Sequence, residues 1–341
     1  MSTVLVTGAS GFLALHVVGQ LLEKGYKVIG SVRSQDKANK LGSEFHKKIG
    51  SKADNLSFTI VEDIGETGAF DETFKLHPEI EFVLHTASPF TLGYTDFEKS
   101  YYIPAVNGTL GILNSIQKYG SKVSKVVVTS SMASIMNFDK LTDSSFIHDE
   151  TVWNPMTKEA AQNDLFAYCL SKKLAEEAAW NFVKENNVNF TLNTVTPPYI
   201  FGPQFFDHDA AAEKLNQSCQ VIANALDWNP DEAFVNNIRT GAAVDVRDVA
   251  AFHLIPLEKP GVEGHRLFPA SGLFTEQDIL NIINENFPQL KLAKGKPDDT
   301  ENPFRYSNEK TVELVGGYNF IPLKKQVVDT VQQILDARAA K

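Results

Sequence analysis

Short β-branched runs alternate with longer segments in which apolar residues recur every three or four positions. That is the pattern of a parallel sheet joined by crossover helices. Residues 4–6 (Val-Leu-Val) form the first run, and a helix follows with apolar residues at Phe12, Leu15, Val18, Leu21 and Leu22. Gly25 supplies a residue suited to its stop. Further strands are expected at 27–31, 56–61, 82–85, 125–129 and 190–195, with long helices at 103–119 and 167–185. Lys-Val-Val-Val-Thr at 125–129 reads as a central strand buried on both faces.

After Pro197-Pro198 the rhythm changes. Residues 202–243 read as helical and loop-like, 244–250 return to strand and helix, and 265–270 read as a strand. Thr275 is placed to cap a helix over 276–286, with Asp278 at its third position, and a last amphipathic helix is expected over 323–337. The stretch 291–308 is polar, and no internal repeat is seen.

The chain has 341 residues, enough for a large α/β domain and a smaller one. A net charge of −10 argues against nucleic acid or an anionic membrane as partner, and no stretch approaches the apolar length of a membrane span. Two cysteines, Cys169 and Cys219, make no disulfide framework and no C-x-x-C metal pattern. No metal is expected. A soluble cytoplasmic protein, monomer or homodimer, is the expectation.

Between the first strand and the first helix lies Gly8-Ala9-Ser10-Gly11-Phe12-Leu13-Ala14, with the spacing G-x-x-G-x-x-A. Gly8 permits a tight turn, Gly11 lets backbone approach a pyrophosphate, and Ala14 allows close helix–strand packing. A dinucleotide's phosphates then sit at the helix N-terminus, against the amides of Ser10, Gly11, Phe12 and Leu13. Where dinucleotide sites for NAD carry a carboxylate, the second strand here ends in Arg33, with Lys37 four residues on. A guanidinium fork and a nearby ammonium suit a 2′-phosphate, so NADPH is the expected cofactor. Asp63 and Ile64, after the third strand, are expected beside the adenine from their position alone.

Tyr168 and Lys172 are four residues apart on one predicted helix and share a face. A phenol titrates near pH 10, and a nearby ammonium, aided by a cationic nicotinamide, is expected to lower that value. Tyr168 can then exchange a proton with a carbonyl or alcohol oxygen. Ser130 and Ser131 end the fifth strand at the edge where parallel sheets meet ligands. Ser131 is assigned to polarising the substrate carbonyl, and Ser130 to a cofactor or structural role.

These residues give an α/β expectation: a Rossmann-type doubly wound parallel sheet with a smaller C-terminal substrate-binding lobe built from discontinuous segments. The nucleotide domain is expected at 1–195, receiving about 240–260, and the lobe at 196–239 and 261–341.

The loop 7–14, Val127-Val128-Thr129-Ser130-Ser131, Tyr168-x-x-x-Lys172 and Val244-Asp245-Val246-Arg247-Asp248-Val249-Ala250 resemble an extended short-chain dehydrogenase/reductase. More narrowly, the chain is similar to the dihydroflavonol-reductase-like branch and, within it, to the yeast NADPH-dependent methylglyoxal and carbonyl reductases. His85-Thr86-Ala87-Ser88-Pro89-Phe90, the segment 103–109, Ser171-Lys172-Lys173-Leu174-Ala175-Glu176, Ala179-Trp180 and the segment 199–204 extend the resemblance over essentially the whole chain. It implies a Ser131/Tyr168/Lys172 triad and reduction of a carbonyl carbon by NADPH. It also implies Asn107 ordering a water beside the lysine, Ile200 beside the nicotinamide, and Ser218 on the phosphate side. Thr196, Pro198 and Met132 depart from residues frequent in such enzymes, which bears on the pocket wall. Phe90, Met132 and Tyr199 are expected to form that wall around a small carbonyl substrate. A nucleotide-sugar epimerase or dehydratase, or a non-catalytic NADPH sensor, are the alternatives. Arg33 and Lys37 count against the first, and the intact triad against the second.

Overall fold

The computed structural model describes residues 1–88, 93, 96–227, 240–296 and 302–340. Strands β1 (Thr3–Thr7), β2 (Lys27–Val32), β3 (Leu56–Ile60), β4 (Ile80–His85), β5 (Lys125–Thr129) and β6 (Thr191–Val195) are followed by β7 (Tyr199–Phe201), β8 (Thr240–Asp245), β9 (Arg266–Leu267) and β10 (Gly272–Thr275). The helices are α1 (Phe12–Glu23), α2 (Gln35–Ile49), α3 (Asp71–Leu76), α4 (Ile103–Tyr119) and α5 (Asp164–Glu185), then α6 (Gln217–Leu226), α7 (Val246–Glu258), α8 (Glu276–Asn286), α9 (Glu309–Leu314) and α10 (Leu323–Ala339).

Seven parallel strands run in the order β3-β2-β1-β4-β5-β6-β9, the doubly wound Rossmann arrangement extended by one strand. The order reverses between β1 and β4, and there the carboxyl ends of the strands open a crevice. Packed on one face are α1, α2 and α7 around Val17, Val18, Leu21, Phe45 and Phe252. On the other, α3, α4 and α5 pack around Phe70, Phe74, Ile112 and Phe182. Helix α1 stops at Gly25, whose φ of 82° is the left-handed cap its sequence promised.

A second sheet, β10-β8-β7, forms a separate core with α6, α8 and α10 around Phe201, Ile222, Phe274, Ile283 and Val331. The Thr275–Asp278 capping box opens α8 as expected. The apportionment of segments differs from the sequence expectation at two places. β8 lies in this smaller sheet although about 240–260 was expected with the nucleotide domain, and β9, expected in the lobe, pairs with β6 in the large one. Only α7, packed on α1, goes with the nucleotide layer. The V-D-V-R-D-V-A stretch joins the two, running from the end of β8 into α7. Asp245 caps α7 and accepts from Arg247 Nε at 2.7 Å, Arg247 reaches Asp329 on α10 at 2.8 Å, and Asp248 accepts from Tyr318 and from the Ile321 amide.

Helix α2 has too few apolar positions to announce itself: only Ala38, Leu41 and Phe45 are buried, at helical spacing within a polar run. Strands β7 and β10 are three and four residues long, too short for a period-2 signal. Among the described residues, no helix is long and apolar enough to cross a membrane, and no cluster of His, Cys, Asp or Glu is arranged to hold a metal. Both cysteines are buried and free.

Candidate active site

The glycine loop is built by hydrogen bonds from three strands. Gly11 N donates to Gly8 O at 2.9 Å, and Gly8 N donates to Ser31 Oγ on β2 at 3.1 Å. Gly8 takes φ = +65°, and a Cβ there would lie 3.0 Å from Ala87 Cα, so both conformation and space demand glycine. From β4, the Ala87 amide donates to Thr7 Oγ1 at 3.0 Å, closing the crevice floor. Gly11 is the N-cap of α1, with no capping side chain and no acidic residue in the first turn. The helix start beside Ser10, Phe12 and Leu13 therefore keeps its amides for an anion, and Ala14 is buried behind it. This cradle fits a pyrophosphate.

Arg33 follows β2 directly and is exposed; Lys37 lies in the first turn of α2, its amide donating to the N-cap Ser34 Oγ at 3.3 Å. The two cations thus flank a second helix N-terminus on the strand edge where the ribose of a dinucleotide lies. Asp63 is exposed, with Oδ1 accepting from Gly65 N at 2.8 Å, while Ile64 packs against Gly108 of α4.

At the end of β5 the chain turns through a 3-10 segment, Met132–Ser134, with Ser131 as its cap accepting from Ala133 N at 3.1 Å. The Tyr168 hydroxyl faces the Ser131 side chain, near enough for that hydroxyl to favour the phenolate. One turn further along α5, Lys172 Nζ is 3.2 Å from Ser88 Oγ and 3.5 Å from Thr129 O, with the side chain 8% exposed. Burial lowers its pKa to about 8, opposed by the Glu176 carboxylate. Burial pushes Tyr168 up to about 12, with Cys169 raising it further and the Ser131 side chain opposing, while Lys172 Nζ is turned to Ser88 and Thr129. Tyr168 is therefore held protonated.

Behind Lys172 lies a small pocket of about 10 Å³, room for a single water, walled by His85, Ser88, Thr109, Ser130, Lys172 and Glu176. Asn107, implied by the resemblance to face this lysine, does not: it is exposed and lines a separate surface cleft with Gly65, Asp71 and Asn114. On α4 the positions facing Lys172 are Ala105, Gly108 and Thr109, out of phase with Asn107. Ser130 is drawn into the core, donating to Glu176 Oε2 at 2.6 Å. Its structural role prevails over the cofactor alternative.

Of the expected wall residues, Tyr199 is half-buried, packs edge-on to Phe274 with centroids 5.2 Å apart, and lies near enough to Tyr168 to raise its pKa. Met132 is only 5% exposed and packs with Ile135, Ala242, Phe268 and Phe304, so it is core rather than wall. Phe90 lies outside the described residues. Ile200 N donates to Ser218 Oγ at 3.3 Å, which joins β7 to the first turn of α6. Ser88, His85, Glu176 and Arg266 were not singled out from sequence as site residues, although Ser88 follows β4 on the same carboxyl edge as Ser131.

Comparison with known proteins extends this geometry to whole chains. The NADPH-dependent methylglyoxal reductase of Saccharomyces cerevisiae is 44% identical over 344 residues, covering 98% of each chain. A ketoreductase of Aspergillus niger is 36% identical over 339 residues, covering 98% of this chain and 97% of its own. The crystal structure of a yeast methylglyoxal/isovaleraldehyde reductase complexed with NADPH superposes with a TM-score of 0.93 at 42% identity, covering 99% of this chain and 100% of that one. The model of the NAD dependent epimerase/dehydratase family matches residues 4–267, from β1 through β9. On that span, with identities of this order over nearly the full length, the chain belongs to the NAD dependent epimerase/dehydratase family.

Proposed function

We propose that this protein is an NADPH-dependent reductase of aldehydes and ketones, methylglyoxal and branched aliphatic aldehydes among them. The observation that carries the reading is the juxtaposition of the Tyr168 hydroxyl and the Ser131 side chain at the carboxyl edge of the sheet, with buried Lys172 one turn away. The activities named for the similar yeast and fungal proteins support it.

NADPH, when bound, supplies the hydride. Arg33 and Lys37 hold its 2′-phosphate, and the start of α1 holds its pyrophosphate. Ser131 donates a hydrogen bond to the carbonyl oxygen, draws electron density from the carbon, and fixes that oxygen beside Tyr168. Tyr168 passes its hydroxyl proton to the same oxygen as the C–O double bond becomes single, and the phenolate regains a proton from solvent. Lys172 stabilises the phenolate while it lasts. Tyr199 borders the carbonyl's substituents. The buried free thiols of Cys169 and Cys219 suit a reducing cytoplasm.

The test follows NADPH oxidation, and separately NADH oxidation, with methylglyoxal, isovaleraldehyde and an aryl ketone. Turnover with NADPH that falls about 100- to 10,000-fold in Tyr168→Phe is expected. Tight NADPH binding without turnover of any carbonyl would overturn the reductase reading in favour of a sensor.

A further inference from the structure

Glu176 ends a stretch, Ser171 to Glu176, of which the reaction as described uses only Lys172. It lies on α5 at i+8 from Tyr168 and i+4 from Lys172, so the three side chains stand on one face. It is 1% exposed, and besides a 3.4 Å bond from Trp180 Nε1 on the same helix its carboxylate is held by several separate parts of the frame. Oε2 accepts from Ser130 Oγ at the end of β5 at 2.6 Å and from Ser134 Oγ, in the turn after Ser131, at 2.5 Å. Oε1 accepts from Thr194 Oγ1 on β6 and from Arg266 Nε on β9, both at 2.7 Å.

Arg266 is itself fully engaged. Its Nη1 donates to the carbonyls of Glu150 and Val152 at 2.9 and 2.7 Å, and its guanidinium lies 3.9 Å over the Trp153 ring. One carboxylate therefore ties the helix bearing Tyr168 and Lys172 to the strand end and turn bearing Ser131. A buried ion pair is a poor device for stability alone, since well-packed apolar residues do as well. Its value here lies in its neighbour: Glu176 and Lys172 wall the same small pocket.

We propose that Glu176 is a positioning residue of the reductase centre. Its carboxylate locks the catalytic face of α5 to the Ser131 turn and supplies the negative charge that keeps buried Lys172 an ammonium. The other titratable groups around Lys172 do not substitute for it. His85 at the end of β4 is buried and neutral, its pKa lowered to about 3 by burial and then by Lys172 itself. His253 on α7 is bonded to Thr129 Oγ1 at 2.7 Å and to Val249 O at 2.8 Å, and is also held neutral by burial. Tyr168 is protonated, and α4 presents Ala105, Gly108 and Thr109. Arg266 stands on β9, paired to the carboxylate.

The inference rests on Tyr168 and Lys172 being the reacting pair. The experiment is the pH profile of kcat for carbonyl reduction at saturating NADPH, in wild type, Glu176→Gln and Glu176→Asp. Lys172 titrates below Tyr168, so the basic limb reports loss of its proton within the coupled pair. Glu176→Gln keeps the shape and removes the charge, and its basic limb is expected to move down by about one pH unit. Glu176→Asp keeps the charge and shortens the tether; its limb is expected to stay while kcat falls. A Glu176→Gln limb superimposed on wild type, or a Glu176→Asp limb displaced as far, overturns the charge role. If Glu176→Gln does not fold, Glu176→Asp with wild-type kcat overturns the positioning role by itself. A Tyr168→Phe enzyme of undiminished rate would instead remove the site assignment beneath the inference, whatever the Glu176 variants do.

Discussion

Ser130 and Ser131 are consecutive at the end of β5, yet one hydroxyl is spent on the core and the other on the site. Ser130 Oγ donates to the buried Glu176 carboxylate at 2.6 Å, while the Ser131 side chain stands beside the Tyr168 hydroxyl. Alternation along an extended strand sends neighbours to opposite faces, and the turn that follows brings Ser131 out into the crevice. Alanine at the two positions therefore separates their effects. Ser131→Ala is expected to lower kcat about 100- to 1,000-fold with unchanged unfolding, as for loss of a donor to a developing oxyanion. Ser130→Ala is expected to cost about 1.5–3 kcal/mol of stability, the worth of a buried hydrogen bond to a charged group. Steady-state kinetics beside denaturant unfolding checks both, and exchanged outcomes would reverse the assignment.

Cofactor choice is predicted to rest on Arg33 and Lys37. Replacing Arg33 by Ala removes a charge-assisted fork from the 2′-phosphate and is expected to weaken NADPH about 10- to 100-fold, leaving NADH nearly untouched. Lys37→Ala should add a smaller loss of the same selectivity, because an ammonium on an exposed side chain meets the phosphate as a point charge. Fluorescence titration with each reduced dinucleotide measures the ratio. Equal losses for both dinucleotides would place these cations elsewhere than on the 2′-phosphate.

Gly8 is predicted to resist even alanine. Its positive φ costs an L-residue roughly 1–2 kcal/mol, and the added methyl meets Ala87 backbone in the crevice floor. Gly8→Ala should therefore lower both the melting temperature and NADPH affinity, whereas Gly25→Ala, with open space around its Cβ, should lower only the first. Thermal unfolding with and without NADPH distinguishes them, and an unaltered NADPH-induced rise in Gly8→Ala would refute the cradle.

The parallel sheet and its loop were legible because their signals are local. A β-branched run, a glycine at the turn and a periodic helix each lie within a dozen residues, and β1, α1, β5 and α5 formed accordingly. Tyr168 and Lys172 were legible for the same reason, being one turn apart. What escaped depends on contacts between distant segments. Arg266 reaches Glu176 across 90 positions, and nothing near either residue marks the pair. Asn107 was misplaced by analogy, since a one-residue difference on a helix turns a side chain by about 100° and leaves Ala105, Gly108 and Thr109 beside the lysine. Met132 was misread because adjacency to Ser131 says nothing about depth, and the 3-10 turn folds it inward.

Acid sensitivity is predicted from three histidines rather than from the carboxylates. Burial lowers His16 to about 4, His85 to about 3 and His253 to about 4. Each is hydrogen-bonded while neutral: His16 Nε2 to Pro203 O, His85 Nδ1 to Thr7 Oγ1, and His253 to Thr129 Oγ1 and Val249 O. In the unfolded chain these imidazoles titrate near pH 6.5. Above that pH neither state holds the protons, and the stability their neutral contacts give is fully present. Between pH about 6.5 and about 4 the unfolded chain binds them and the folded chain does not, so stability falls as pH falls. Each group contributes a slope of up to about 1.4 kcal/mol per pH unit in that window. Urea unfolding at pH 7, 6 and 5 should show a declining free energy with unchanged m-value, and His253→Phe should flatten the decline by one proton's worth. Equal stability at pH 7 and pH 5 would mean that the buried imidazoles are charged in the folded state, and Lys172 would then share its pocket with a second cation at His85.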